Sequence, residues 1–526
     1  MAITTNLTKI KFDDLFENKF QISGAQKFIY FFLLFNSILL VVSFHHPIGD
    51  FGNYYYGSKF WREGIDTLKF YQSIRFFNSE IRHHETGIFF ENYTPVPPFS
   101  LLFYWPLTFL KLSIAKLLFN LFGLFVFCFS LQRLIRTTKV FSPAFYFLPF
   151  IFLQPLYSNF HHGQSYLLMA ALLFEFYIAL QNNNKITLGV IIALLFCLKI
   201  FPAFIAIIFL FKKDWKSIGW SILFTTIFLL LTLFCVGTDV MNYYYLDVFP
   251  RLALNDVTAP FSHFNQSFHT FLLNSFVFHP FLNPSPVINA TLMAVIIQIA
   301  FYSFVFSILI KMVLKQSLFT SFFVSVLALV LINKYSTVYG LIILFPFIFL
   351  LKEMRIKKMA LLCCLLFLAC NIPIHKLVNL PLVLQYARVW LLIAAFIVIT
   401  LEFKTTFDIK YFAACLLVFI LPSMAFYKYK TDSTNEFRSK TGIVYDFNVS
   451  SDHIKMYTCI GNRDTVERIE FISNKIDSTT FIKKNTGSLL INKSVFVNNK
   501  DLIFMSDENS GVGMYYLQVI KPARIK

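Results

Sequence analysis

Apolar runs of roughly membrane-crossing length recur from Phe28 almost to Tyr427, and no other feature restricts the fold of this chain so strongly. Crossing a hydrocarbon core about 30 Å thick takes roughly 20 helical residues, and many of the runs are near that length. Composition agrees. The chain is 57% hydrophobic and 14% charged, with a mean hydropathy of +0.64, against about 45–50% apolar and 25% charged in a soluble domain. A soluble protein of 526 residues has too little interior to hide that surface, so lipid must solvate it. The expected fold is an α-helical polytopic membrane protein.

The first run, 28–44, follows a polar, Lys-bearing segment, and no small-residue cleavage site succeeds it. It reads as a retained signal-anchor helix with residues 1–27 in the cytoplasm. Seven of the eight cysteines (Cys128, Cys197, Cys235, Cys363, Cys364, Cys370 and Cys415) fall inside apolar runs, where a small buried apolar role is expected of them. Cys459 stands alone in the polar tail, which excludes a disulfide framework there.

A net charge of +18 raises the question of nucleic acid, and its distribution answers it. Much of the excess sits in short connectors: Arg133, Arg136 and Lys139; Lys212, Lys213 and Lys216; Lys311 and Lys315; Lys352, Arg355, Lys357 and Lys358. Cytoplasmic loops keep Lys and Arg in this way, so the charge marks topology and no nucleic-acid partner is expected.

Placing those connectors in the cytoplasm fixes a path. Spans are expected near 28–44, 97–133, 141–157, 165–180, 186–198, 202–211, 218–236, 287–310, 318–332, 338–351, 359–372, 386–401 and 411–427. The second is too long for one plain span, so its first part lies in the interface or re-enters. That makes about thirteen crossings, with boundaries loose by a few residues. The transmembrane domain is 28–427, its long outer loops are 45–96 and 237–286, and the odd count leaves the C-terminus outside. After Lys428 the character changes. Residues 431–526 are rich in Asn, Ser, Asp and Lys, with short alternating stretches such as "GIVYDFNV" and "RIEFIS". Period-two alternation bounded by turn residues predicts a small extracytoplasmic all-β domain.

Five polar segments then fall at outer ends of spans or in outer loops: 45–64, 90–98, 158–165, 197–202 and 261–272. Residues of one active site must share a face in this way. Asp50 follows the first span directly, where ionisable groups are costly and are functional candidates by default. Its carboxylate suits a general base drawing a proton from an attacking hydroxyl; the structural alternative is an N-cap for the helix that follows. Lys199 interrupts an apolar stretch just before Pro202, where it suits a phosphate as a point charge; the alternative is snorkelling to headgroups. His161, His162 and Gln164 suit a phosphate or sugar hydroxyls. No carboxylate or cysteine stands at ligand spacing from the His pair, so neither metal nor cofactor is expected. Asn265 and Gln266 offer amides for a hydroxyl-rich ligand. Tyr54, Tyr55 and Tyr93 are candidates for acceptor contacts, although most of the tyrosines and Trp61 read as an interfacial aromatic belt.

In order, these segments resemble glycosyltransferase family 87, transferases of the GT-C fold that use polyprenyl-phosphate sugars. The match runs through Asp50-Phe51-Gly52-Asn53-Tyr54-Tyr55, Tyr93-Thr94-Pro95-Val96-Pro97-Pro98, Gly163-Gln164-Ser165-Tyr166, Lys199-Ile200-Phe201-Pro202 and Asn265-Gln266-Ser267. It covers about 28–310 closely and later spans only in topology. Tyr166 stands where the family pattern often has Asn, and the tail after Tyr427 is not a general family feature.

The resemblance implies a plasma-membrane enzyme that moves a sugar, often mannose, from a polyprenyl-phosphate donor to a hydroxyl of a glycan or glycolipid on the outer face, with inversion. Asp50 would be the base. Lys199, His161, His162, Gln164, Arg251, Asn265 and Gln266 would hold the donor phosphate and sugar. The alternative is a transporter or flippase of a lipid-linked glycan; it calls for matching cytoplasmic polar groups or an inverted repeat, and the sequence has neither.

Overall fold

The computed structural model describes residues 18–44, 49–72, 74–84, 93–253, 261–278, 283, 286–405 and 407–424, and the backbone of eight strands between 436 and 520. Residues 45–48, part of the expected 90–98 segment and the side chain of Arg251 lie outside the described residues.

Four helices are long and apolar enough to cross a membrane: Gly24–Ser43, Leu112–Thr138, Trp215–Val236 and Thr291–Lys315. A pair bent by 120°, Leu153–His162 with Tyr166–Gln181, makes five if it counts as one span. The expected thirteen crossings are therefore reduced to four or five helices of spanning length among the described residues. Other apolar runs form helices of only 10–17 residues, including Lys185–Leu198, Ile200–Phe211, Leu318–Ile332 and Ile409–Ile420.

Proline accounts for much of the fragmentation. It lacks an N–H and its ring clashes with the preceding turn, so an apolar run that contains it breaks. The run at 141–157 becomes the 3-10 turn Pro143–Phe147 followed by the helices Leu148–Ile151 and Leu153–His162, with Pro143, Pro149 and Pro155 spaced along it. Pro202 lies in the four-residue helix Ile200–Ala203, after which the chain passes through a 3-10 turn. Tyr339–Lys352, with Pro346 inside, is wound as a 3-10 helix throughout. The run at 97–133 divides near Leu110, giving Phe99–Tyr104 and Trp105–Phe109 before the 27-residue helix Leu112–Thr138.

Polar side chains start several helices. Asn184 accepts from Thr187 N, Asp214 from Ser217 N and Ser317 from Thr320 N, each satisfying an otherwise orphaned amide. The basic connectors meet acidic ones. Arg133 pairs with Glu175 at 2.9 Å, Lys185 with Asp214, and Arg355 and Lys358 with Glu402 at 3.1 Å. These charges gather at one end of their helices. Lys185–Leu198, for example, runs from the Asp214 pair to Lys199 at its other end.

The helices Lys185–Leu198 and Trp215–Val236 touch backbone to backbone at Gly189. A Cβ there would come within 2.6 Å of Trp220 Cβ and 2.7 Å of its carbonyl carbon. The second of these helices is otherwise open on most of its surface, with Phe234 90% exposed.

A separate aromatic core fills the first loop region. Phe51, Tyr54, Tyr55, Tyr56, Phe60, Phe70, Tyr71 and Tyr93 are buried together with Tyr104, Phe119 and Tyr244. The interfacial belt expected of these tyrosines is thus replaced by a packed interior. Their edges meet other rings, as in the Tyr71–Tyr93 pair at 4.9 Å and 70°, and such edge-to-face contacts add to simple burial. Gly57 makes room for Tyr93, into whose ring a Cβ would run.

The strands form two four-stranded antiparallel sheets. One is a meander of Val444–Val449, His453–Ile460, Thr465–Ile472 and Lys475–Lys483. The other orders Glu436–Phe437, Tyr516–Ile520, Asp501–Ser506 and Ser494–Val497.

Candidate active site

The site is built on the corner of the bent pair. Helix Leu153–His162 ends at Gly163, which adopts the left-handed conformation with φ +63°. Gly163 N donates to Phe160 O and Gln164 N to Asn159 O, the pattern by which a glycine closes a helix. Asn159 Oδ1 then accepts from Tyr166 N, which fixes the start of the next helix. A side chain at 163 would lie 2.6 Å from Phe51 Cβ.

The corner is braced from helix Leu112–Thr138. Lys116 Nζ donates to His161 O at 2.6 Å and Asn120 Nδ2 to Phe160 O at 3.1 Å. A cation and an amide one turn apart thereby meet the exposed carbonyls of a helix C-terminus, where positive charge is favoured. Gly49, at φ +59°, brings the first loop against the same corner, since a Cβ there would be 2.9 Å from His162 Cα.

Asp50 occupies the N-cap position of helix Phe51–Arg62 but makes no side-chain cap. Its carboxylate turns instead to the corner. Oδ2 accepts from Gln164 Nε2 at 2.6 Å and from the Tyr339 hydroxyl at 3.4 Å. Oδ1 has His162 Nδ1 at 4.0 Å and, among the described residues, accepts no hydrogen bond. Among the described residues, one oxygen is held by two donors and the other accepts no hydrogen bond.

Lys199 sits in extended conformation in the break between Lys185–Leu198 and Ile200–Ala203. It turns inward, as the snorkelling alternative would not. Nζ donates to Gln164 Oε1 at 2.9 Å and lies 4.2 Å from the centre of the Tyr166 ring. Burial pulls its ammonium down to about 8, with the Asp50 charge acting in the opposite direction. Tyr54, stacked on Tyr104 at 4.6 Å, donates to Gln164 Oε1 at 3.2 Å. Burial first, then Tyr104 and Asp50, push its phenol well above the ordinary value, so it remains a donor. Gln164 therefore stands between anion and cation, its amide giving to Asp50 and receiving from Lys199 and Tyr54.

Other candidates stand elsewhere. Tyr55 and Tyr93 are buried in the aromatic core, where their hydroxyls meet Leu110 O and Ser100 Oγ, so neither offers an open face to an acceptor. Asn265 and Gln266 are buried against the turn after helix Leu318–Ile332, and the side chain of Arg251 is outside the described residues. Among the described residues, no group of three His, Cys, Asp or Glu side chains is arranged to hold a metal ion.

Sequence reasoning missed Tyr339, Lys116 and Asn120. Lys116 carried a signal equal to that of Lys199, a lone lysine within an apolar helix. The polar break "NKYSTVY" between two apolar runs was also on the same expected face as the other segments.

No curated protein and no solved structure matches the chain. Residues 93–333 match the family model described as Glycosyltransferase family 87; the matched stretch spans Gln164, Lys199, Asn265 and Gln266 and stops short of Asp50.

Proposed function

We propose that the protein is a multi-pass plasma-membrane hexosyltransferase that moves a sugar such as mannose from a polyprenyl-phosphate donor to a hydroxyl of a glycan or glycolipid. The observation that carries this reading is the Asp50 carboxylate, held on Oδ2 by Gln164 and Tyr339 while Oδ1, with His162 Nδ1 at 4.0 Å, accepts no hydrogen bond among the described residues. A base must present a lone pair to the attacking hydroxyl and keep its orientation while doing so. Asp50 meets both needs.

In the proposed reaction the acceptor oxygen attacks the anomeric carbon from the face opposite the phosphate. Asp50 Oδ1 takes the hydroxyl proton as the new glycosidic bond forms. The bond from the anomeric carbon to the phosphate oxygen breaks, and its electron pair leaves with the lipid phosphate. Inversion follows from this single displacement. Lys199 supplies positive potential for the departing anion, and His161 and His162 on the adjoining corner offer ring N–H donors; such stabilisation is the larger part of this kind of catalysis. A lipid phosphate is a stable anion, so the scheme needs no cofactor.

Segregation of charge supports placing the site on the extracytoplasmic face. The Lys185–Asp214 pair, beside the basic connector at Lys212 and Lys213, lies at the end of helix Lys185–Leu198 remote from Lys199, as cytoplasmic loops do. The two sheets between 436 and 520 would then belong to an extracytoplasmic domain.

Transfer from polyprenyl-phosphate sugars to extracted acceptor glycans, measured in membranes carrying Asp50→Asn, tests the assignment. The amide keeps the shape and cannot take the proton, so a fall of about 10²–10⁴-fold is expected. Undiminished transfer by that variant at equal membrane levels would refute the base assignment.

A further inference from the structure

Asn265, Gln266 and Ser267 have the look of ligand-binding amides and hydroxyls, yet the structure uses their polar atoms on backbone. Asn265 Nδ2 donates to Lys334 O at 3.0 Å, and Asn265 Oδ1 accepts from Ser336 N at 2.9 Å. Ser267 Oγ donates to the same Lys334 O at 2.7 Å, and Gln266 N donates to Ser336 O at 3.0 Å. Four hydrogen bonds thus clasp residues 265–267 to 334–336. Gln266 Nε2 reaches two further carbonyls, of His263 and Gln385, at 2.6 and 2.9 Å. Both oxygen and nitrogen of the Asn265 amide are spent. Gln266 Oε1 has no partner among the described residues, but it is buried out of reach of a sugar.

What the clasp holds is informative. The turn begins at Asn333, where helix Leu318–Ile332 ends, and leads directly into Tyr339–Lys352. Tyr339 opens that helix, and its hydroxyl reaches Asp50 Oδ2. Its ring lies against Tyr166 and His162, with centres 5.3 and 5.8 Å away. Tyr335, inside the turn, lies within electrostatic reach of Asp50. Buried backbone groups that lose their partners are costly, so a clasp of four such bonds fixes the turn firmly.

We propose that Asn265, Gln266 and Ser267 are positioning residues: they clamp the 333–338 turn and, through it, set the Tyr339 hydroxyl on Asp50 Oδ2, leaving Oδ1 as the atom that takes the proton. The proposal rests on the transferase reading and deepens it. It moves the "NQS" element from the ligand shell to the frame of the base.

The test uses the full-length protein in detergent or membranes, with Asn265→Ala, Tyr339→Phe and the double variant. Steady-state transfer from a polyprenyl-phosphate sugar should show kcat lowered about tenfold in each single variant, with the donor KM changed less than about threefold. The double variant should be no worse than the weaker single by more than about twofold, because both act along one chain of contacts. A donor KM raised tenfold or more with kcat intact in Asn265→Ala would overturn the proposal in favour of a ligand role. Losses that multiply in the double variant would overturn it as well.

A second readout does not depend on activity. Hydrogen exchange of the peptide containing Ser336 should quicken at least tenfold in Asn265→Ala, since that amide loses its acceptor, and should stay unchanged in Tyr339→Phe. Unchanged exchange in Asn265→Ala would sink the clasp even in a protein that transfers nothing. Parent protein inactive with every donor, together with quickened exchange, would count against the transferase reading and leave the clasp standing.

Discussion

Replacing Lys199 by Met should strengthen the fold while weakening the reaction, and the size of the first effect follows from the break in which Lys199 lies. Its ammonium falls from 10.5 to about 8 because burial disfavours the charged form. At about 1.36 kcal/mol per pH unit, the charged side chain costs about 3 kcal/mol more in the folded protein than in water. Lys199 is only partly buried, and solvent screening reduces that to an expected 1–3 kcal/mol, as an order of magnitude. Met matches the chain length without the charge. Gln164 Oε1 keeps the Tyr54 hydroxyl, so the substitution leaves no orphaned acceptor.

The pH dependence has a definite sign. The folded value lies below the unfolded one, so between about 8 and 10.5 the unfolded chain binds the extra proton. Stability of the parent therefore rises with pH across that window, and below it the full cost is present. Lys199→Met has no such group and should lack the rise. Denaturant unfolding in detergent micelles, followed by tryptophan fluorescence, measures both proteins at pH 7 and pH 10. The variant should be about 1–3 kcal/mol more stable at pH 7, with the gap closing towards pH 10.5. Transfer should fall about 10²–10³-fold if the ammonium faces the departing phosphate. A variant less stable than the parent at pH 7 would refute the argument, for Lys199 would then be a structural pillar and no burden on the fold.

Two glycines give further expectations by the same unfolding measurement. Gly163→Ala must hold a left-handed residue, at about 1–2 kcal/mol, and place its methyl 2.6 Å from Phe51 Cβ; the corner should shift, and transfer should drop with stability. Gly57→Ala crowds the fully buried Tyr93 ring and should cost about 1–3 kcal/mol as overpacking, with any loss of transfer following from displacement of the helix that starts beyond Asp50.

Much of the site was legible because polar residues in an apolar chain are conspicuous. Asp50, Gln164 and Lys199 came from three separate segments expected on one face, and the structure joins them through the two ends of one amide. The count of crossings was less legible. Apolar composition says that a run is buried in lipid or protein, but it does not say whether prolines divide the run, as Pro143, Pro149 and Pro155 do. The tyrosines of the first loop show the same ambiguity from another side. A ring with a hydroxyl suits an interface or a core equally, and only packing partners decided for the core. Asn265 and Gln266 read as ligands because amides bind sugars and backbone equally well; the turn that claims Asn265 lies 69 residues further along the chain.

The contact at Gly189 gives Lys199 a mechanical neighbour. Helix Trp215–Val236 faces mostly outward and is of spanning length, so a bilayer thinner or thicker than its 22 residues prefer will tilt it. No side chain at Gly189 holds the two backbones apart, and Lys199 stands just past the far end of Lys185–Leu198. A tilt passed across that contact would make acyl-chain length in the surrounding lipid a physical input to the distance between a cation and a carboxylate.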